Sequence, residues 1–364
     1  MGLSRCSAGY AKGIGCRRGF PAFTLFPGRA LWVFRHSSVS SNRTYEHPLS
    51  IVPPGSARAA DPAHGFAPTA RGLLDYPGRF RPFGASVEGT SLTMRLRIPK
   101  WLGWPLLAGW TYFVLSFFAQ RAIFHPSPYP EGLWDRQAAF GAEDVWLQTS
   151  DGLRIHGWLV QPKGESHFVT LYLHGNAGNI TDRPDHIESI RRAGSKLLII
   201  DYRGFGKSEG RPSEEGVYRD AAAAYDYLLS QGYQAGQIIL HGESLGTAVA
   251  TDLAARRSAA GLILEAPFPS VGAVAQRVLP VLGPLVASGF DTKGKIARVA
   301  APVLVIHGDQ DETIDFDFGE EVYAAANEPK DFWRVPGAHH NDIIATAGTA
   351  VYEERLRSFY EKLR

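Results

Sequence analysis

The stretch "ILHGESLGTA", Ile239 to Ala248, carries an apolar run straight into a Gly-x-Ser-x-Gly. Two readings compete: a nucleophilic serine on a tight strand-to-helix turn, or a loop that matches by accident. With 39 glycines in 364 residues, chance supplies the pattern about once in four such chains, so the motif alone decides nothing. Its flanks decide more. Ile238–Leu240 has the apolar, β-branched character of a buried strand. "LGTAVATDLAARR" after the serine has helical composition, and Arg256 and Arg257 suit a helix C-terminus. Strand, sharp turn and helix are the context a nucleophile elbow requires. Gly242 and Gly246 leave room where a side chain would collide with the turn or with neighbouring strands.

A serine hydroxyl is a weak nucleophile until a base takes its proton, and the base needs an orienting carboxylate. Both follow in the chain, each after its own apolar run. "VLVIHGDQDETI" offers Asp309, Asp311 and Asp315, and "FWRVPGAHHNDI" offers His339 and His340. The order is serine, acid, histidine.

Outward from the motif, the chain after Ala142 alternates strands with helices. "EDVWLQTSDGLRIHGWLVQP" reads as a hairpin turning at Asp151-Gly152. Apolar runs follow at 168–173, 197–200, 238–240, 262–264 and 303–306, with a helix over Ser213 to Leu229 that Ser213 caps. Continuous apolar runs separated by helices predict a parallel sheet covered on both faces. Ligands of such sheets sit at the carboxyl ends of the strands, where the polar motifs fall.

Composition narrows the class. The net charge of +2 hides a split: residues 1–93 carry +7 and the remainder −5. The main body is mildly acidic and has no basic patch with interleaved aromatics, so nucleic acid is not an expected partner. Both cysteines, Cys6 and Cys16, lie in the first 20 residues, so the rest of the chain has no thiol nucleophile and no cysteine metal site. Residues 1–93 are rich in Gly, Pro, Ser and Arg without sustained periodicity. They read as an over-extended gene start, Met94 being the only later methionine, or as a transit-like leader.

Leu102 to Gln120 is uncharged, with Arg95, Arg97 and Lys100 before it and Arg121 after. As a helix it would span about 28 Å, near the roughly 30 Å of a bilayer core. The expectation is one transmembrane anchor over 101–120 and an extended spacer over 121–141. The catalytic domain then lies on the non-cytoplasmic side, periplasmic in a bacterium, because the positive charges collect before the helix.

From about residue 142 to 364 the chain resembles the α/β-hydrolase superfamily. It is most similar to the compact membrane-anchored abhydrolase serine hydrolases related to protein depalmitoylases. The motifs that carry the resemblance are "LYLHGNAGN", "DYRGFGKSEG", "GESLG", "HGDQDETI" and "GAHHNDI". It implies a mostly parallel eight-stranded sheet with helices on both faces and a short lid, the lid falling between 264 and 303.

By that resemblance Ser244 is the nucleophile and Asp311 the acid, with Asp309 the alternative. His340 is the base, with His339 the alternative, since His339 stands where the family usually has glycine. Backbone N–H groups of Asn176 and Leu245 would form the oxyanion hole, Ala177 being second choice to Asn176. His174 is expected to shape that loop, and Arg203 and Ser208 to belong to a structural turn. The implied activity is hydrolysis of carboxylic esters or thioesters, possessing no metal or organic cofactor, on a small acyl substrate of lipid-like character. A peptidase of small amides, or an idle membrane-tethered interaction module, are the alternatives. Nothing in the sequence sets the oligomeric state.

Overall fold

The computed structural model describes residues 100–364, so the expectation for residues 1–93 lies outside the described residues. The chain enters through helix α1 (Lys100–Arg121), a two-residue strand β1 (His125–Pro126) and a short α2 (Arg136–Phe140). The hairpin β2 (Glu143–Gln148) and β3 (Arg154–Val160) follows, turning at Asp151-Gly152 as expected. Then come β4 (Phe168–Leu173), the two-residue β5 (Ala177–Gly178), α3 (Pro184–Arg192), β6 (Ser195–Ile200) and α4 (Glu214–Ser230). The second half runs through β7 (Ile238–Glu243), α5 (Leu245–Ala254) and β8 (Gly261–Glu265), then the short helices α6 (Val271–Val278), α7 (Gly283–Val286) and α8 (Thr292–Ile296). It closes with β9 (Val303–Gly308), α9 (Phe316–Ala325), β10 (Lys330–Val335), α10 (Ile343–Ala347) and α11 (Thr349–Lys362).

Eight strands form one sheet in the order β10-β9-β8-β7-β4-β6-β3-β2, and only β3 runs against the others. This is the α/β-hydrolase arrangement. The alternation of side chains along each strand builds two cores. Val169, Leu171 and Leu173 of β4 join one apolar cluster with α4, α5 and α9. Phe168 and Tyr172 of the same strand join the other, with α3, α10 and α11. All six residues of β4 and of β9 are buried, which is why these strands read as unbroken apolar runs. The edge strand β2 has one buried face and shows alternation instead. Ser213 caps α4, its hydroxyl accepting from the Gly216 N–H.

Sheet order places the site. The chain builds β4, adds β6 on one side, then crosses to add β7 on the other. The loops leaving β4 and β7 therefore diverge from adjacent strand ends and leave a crevice between them. One wall is the loop after β4, and the other is the turn at Ser244.

One expectation near the N-terminus changes. The transmembrane anchor expected over 101–120 is not supported. A helix, α1, forms there, but among the described residues no helix is long and apolar enough to cross a membrane. Pro105, Gly103, Gly109 and Thr111 dilute its apolar run, and Trp104 and Trp110 are residues of the membrane–water boundary rather than of hydrocarbon. Within the segment expected as an extended spacer, 121–141, the main chain bonds to the loop after β4. β1 pairs in parallel with β5, and Leu133 N–H donates to the Thr181 hydroxyl at 2.9 Å.

At the elbow, a Cβ on Gly246 would lie 1.8 Å from the Leu173 carbonyl oxygen, and one on Gly242 2.3 Å from that of Gly246. Both contacts are with backbone, which cannot swing aside. Gly246→Ala should therefore cost at least about 1–3 kcal/mol in urea unfolding. Gly236→Ala, whose Cβ would meet nothing within 4 Å, should stay within about 0.5 kcal/mol. Equal stability of the two variants would contradict this account of the turn.

Candidate active site

Ser244 sits between β7 and α5 with φ 51° and ψ −116°, a conformation that costs a non-glycine residue about 1–3 kcal/mol. Three hydrogen bonds hold it there. Ser244 N–H donates to the Glu265 carbonyl at 2.8 Å, and the Ser244 carbonyl accepts from Thr247 N–H at 2.9 Å and from the Thr247 hydroxyl at 2.6 Å. The strained turn lifts the hydroxyl off the sheet.

That hydroxyl lies 3.0 Å from His340 Nε2, and His340 Nδ1 lies 2.7 Å from an Asp311 carboxylate oxygen. With the proton on Nδ1, the imidazole donates to Asp311 and accepts from Ser244. The second Asp311 oxygen accepts from the N–H groups of Thr313 and Ile314 at 2.9 and 2.8 Å. Burial pushes the Asp311 pKa up, but the hydrogen bonds from His307 and His340 outweigh it and hold the carboxyl well below its usual range. For His340, burial works against the charged form. The Asp311 hydrogen bond and charge, with the nearby carboxylates of Glu243 and Glu265, reverse that and raise its pKa.

The neighbouring residues separate cleanly. His339 points to solvent and pairs with Glu312 at 2.9 Å. Asp309 accepts from Gly337 N–H at 2.7 Å and from Arg334 at 2.9 Å, which ties two loops together. Neither touches Ser244 in any hydrogen bond of the structure.

The loop after β4 forms the facing wall. A Cβ on Gly175 would lie 3.5 Å from the Ser244 Cβ. Asn176 is fixed at both ends: its carbonyl accepts from His125 N–H at 2.8 Å, and its side-chain amide donates to the Ile123 carbonyl at 2.8 Å. Its own N–H has no acceptor among the described residues. Leu245 is the first residue of α5, so its N–H has no partner within the helix and sits at the positive end of the dipole. His174 is buried, and its Nδ1 donates to the Gly175 carbonyl at 2.8 Å. Burial lowers its pKa, so it shapes the loop as a neutral ring. Arg203 is bound by Asp151 and Asp220, and Ser208 joins the Asp201 carbonyl to His156 N–H; these hold the turn after β6.

Sequence reasoning missed a partly buried polar cluster next to the serine. Glu243 accepts from the Tyr172 hydroxyl at 2.7 Å and from Arg183 at 2.8 Å. Glu265 meets His186 at 2.9 Å and the Tyr352 hydroxyl at 2.5 Å. The signal was present: both glutamates end otherwise apolar strands, "IILHGE" and "GLILE". Among the described residues no group of three or more His, Cys, Asp or Glu is arranged to hold a metal ion.

Residues 164–292 match the hydrolase family described as "Serine aminopeptidase, S33". An uncharacterized protein of Mycobacterium tuberculosis is 40% identical over 61% of this chain and 80% of its own length. Alpha/beta hydrolase domain-containing protein 17B of Xenopus tropicalis is 34% identical over 66% of this chain and 82% of its own. Among solved structures, the Pyrococcus furiosus esterase Pf2001 superposes with a TM-score of 0.56 at 19% identity, covering 66% of this chain and 98% of that one, which is a likeness of fold.

His340→Ala and Asp311→Asn should each lower turnover of any substrate cleaved here by about 10²–10⁴-fold, while His339→Ala and Asp309→Asn stay within a few-fold. The acid limb of kcat/KM should follow loss of the His340 proton. Its pKa is raised, so the limb should lie above 6.5 and activity should fall as pH drops through it. A limb at or below 6, or a larger loss from the His339 change, would contradict the arrangement.

Proposed function

Since the chain belongs to the α/β-hydrolase family, we propose that it is a serine hydrolase that cleaves carboxylic esters or thioesters. The observation that carries the reading is the continuous hydrogen-bonded relay from Ser244 through His340 to Asp311. His340 takes the serine proton as Oγ attacks the acyl carbonyl. Asp311 holds the imidazole in the productive tautomer and stabilises its cation. The developing oxyanion is received by the N–H groups of Asn176 and Leu245. His340 returns the proton to the departing alcohol or thiol, and water then releases the acyl group from Ser244 by the same route.

An acyl substrate of lipid-like character is supported by the lid. Val278, Leu279, Val281, Leu282 and Leu285 of the α6–α7 region are all exposed, and α1, whose Trp104, Leu107, Trp110 and Phe113 are exposed too, lies against α7. This apolar edge suits a substrate presented at a lipid surface, with α1 resting on that surface. Amide cleavage is the second reading, favoured by the match of residues 164–292 to a family described as serine aminopeptidase. Paired ester and anilide substrates with the same acyl group separate the two by their ratio of kcat/KM.

A fluorophosphonate probe should label Ser244 covalently, and Ser244→Ala should abolish both labelling and ester turnover, a loss of several powers of ten. Labelling that persists in the alanine variant would contradict the reading and leave an interaction module on the same fold.

A further inference from the structure

The two N–H groups assigned to the oxyanion come from different parts of the chain. Leu245 belongs to the elbow after β7, and Asn176 to the loop after β4. An oxyanion hole works only if its donors are held a fixed distance apart before the reaction begins. Something must brace one against the other.

Arg183, at the start of α3, reaches both. Its Nε donates to Glu243 at 2.8 Å, and one terminal nitrogen donates to the Ala177 carbonyl at 3.0 Å. Glu243 immediately precedes Ser244, and Ala177 immediately follows Asn176. The path from one donor to the other is therefore short: Leu245, Ser244, Glu243, the guanidinium, Ala177, Asn176. No other side chain among the described residues hydrogen-bonds both segments. The far side of the loop is anchored separately through His125, Ser127 and Ile123, which bond to residues 176–178 but not to the elbow.

We infer that the Arg183–Glu243 pair is the strut that sets the spacing of the oxyanion donors, making both side chains positioning residues for the hydrolysis. This rests on the serine-hydrolase reading above. The planar guanidinium suits the task, because its donors leave in fixed directions and so fix carboxylate and carbonyl relative to each other. The Tyr172 hydroxyl, 2.7 Å from the same Glu243 oxygen, locks the carboxylate on its β4 side.

The pair also settles the local charge. A lone carboxylate next to the nucleophile would oppose the negative charge that grows on the substrate. Burial pushes Glu243 up, but the Arg183 charge, with His186 and the Tyr172 hydroxyl, holds it at about 2, so it is ionised and paired. His340 is faced by Asp311 from the loop after β9, Glu243 from β7 and Glu265 from β8. His186 and Arg183 of the α3 region lie beyond those glutamates, and His339, Glu312 and Asp342 lie on the solvent side. Removing Arg183 leaves Glu243 uncompensated, which favours the His340 cation. Removing the Glu243 charge does the opposite. A residue that merely filled space would shift the His340 titration in neither case.

The test compares Arg183→Met, Arg183→Lys and Glu243→Gln in the full chain, on one ester substrate across pH. Arg183→Met should lower kcat by about 10²-fold with KM changed less than about threefold, as for a misplaced transition-state contact. Its acid limb should move to higher pH, and that of Glu243→Gln to lower pH. Arg183→Lys should return the limb to its wild-type position and restore part of kcat. It carries the test if Arg183→Met fails to fold. Wild-type kcat in a folded Arg183→Met, a lysine variant with the limb displaced, or limbs that move the same way in Arg183→Met and Glu243→Gln would overturn the strut. Absence of fluorophosphonate labelling in the wild type would instead overturn the hydrolase reading, and the strut with it.

Discussion

The rest of this structure depends on a close approach of backbone to backbone at the end of the central strands. β7 and α5 meet at a turn where Gly246 comes against the Leu173 carbonyl at the end of β4, too near for any side chain. That contact forces the residue between the two glycines into a left-handed conformation, and the residue there is Ser244. The strain is held by bonds to Glu265 and Thr247 rather than relieved. A hydroxyl fixed in this way can face a base on one side and a donor loop on the other without moving.

Around that turn the polar groups form two bonded sets. Asp311 and His340 bond in line with the serine. Glu243, Glu265, Arg183, His186 and two tyrosine hydroxyls form the other set, bonded among themselves. Carboxylates drawn largely out of water are tolerable only when each has partners, and both glutamates do. In the proposed reaction the first set moves a proton and the second holds position.

Much of this was legible because it is written in local pattern. Buried parallel strands read as apolar runs, so β4, β6, β7, β8 and β9 were found within a few residues of their ends. Ser244, Asp311 and His340 each follow such a run in a recognisable motif, and the motif ranks His340, the histidine that the fold sets beside Ser244, over His339. What escaped depends on contacts between distant segments. "HPSPYPEG" looks like a proline-rich spacer, yet its main chain pairs with the loop after β4 through bonds that leave no periodic trace. Arg183 sits in "TDRPD", which reads as an ordinary charged helix start, and only the fold brings it to Glu243, 60 positions away. The anchor failed for a different reason. Freedom from charge is not apolarity: proline, glycine and threonine leave α1 less apolar than a bilayer core demands.

The central claim is that Ser244 carries the acyl group between two half-reactions. Rapid acid quench of the enzyme turning over a slowly deacylated aryl ester, followed by peptide mass spectrometry, tests it most directly. The account predicts a mass increase equal to one acyl group, confined to the peptide containing Ser244 and decaying as product forms. Turnover with no adduct, or an adduct on any other residue, would contradict it.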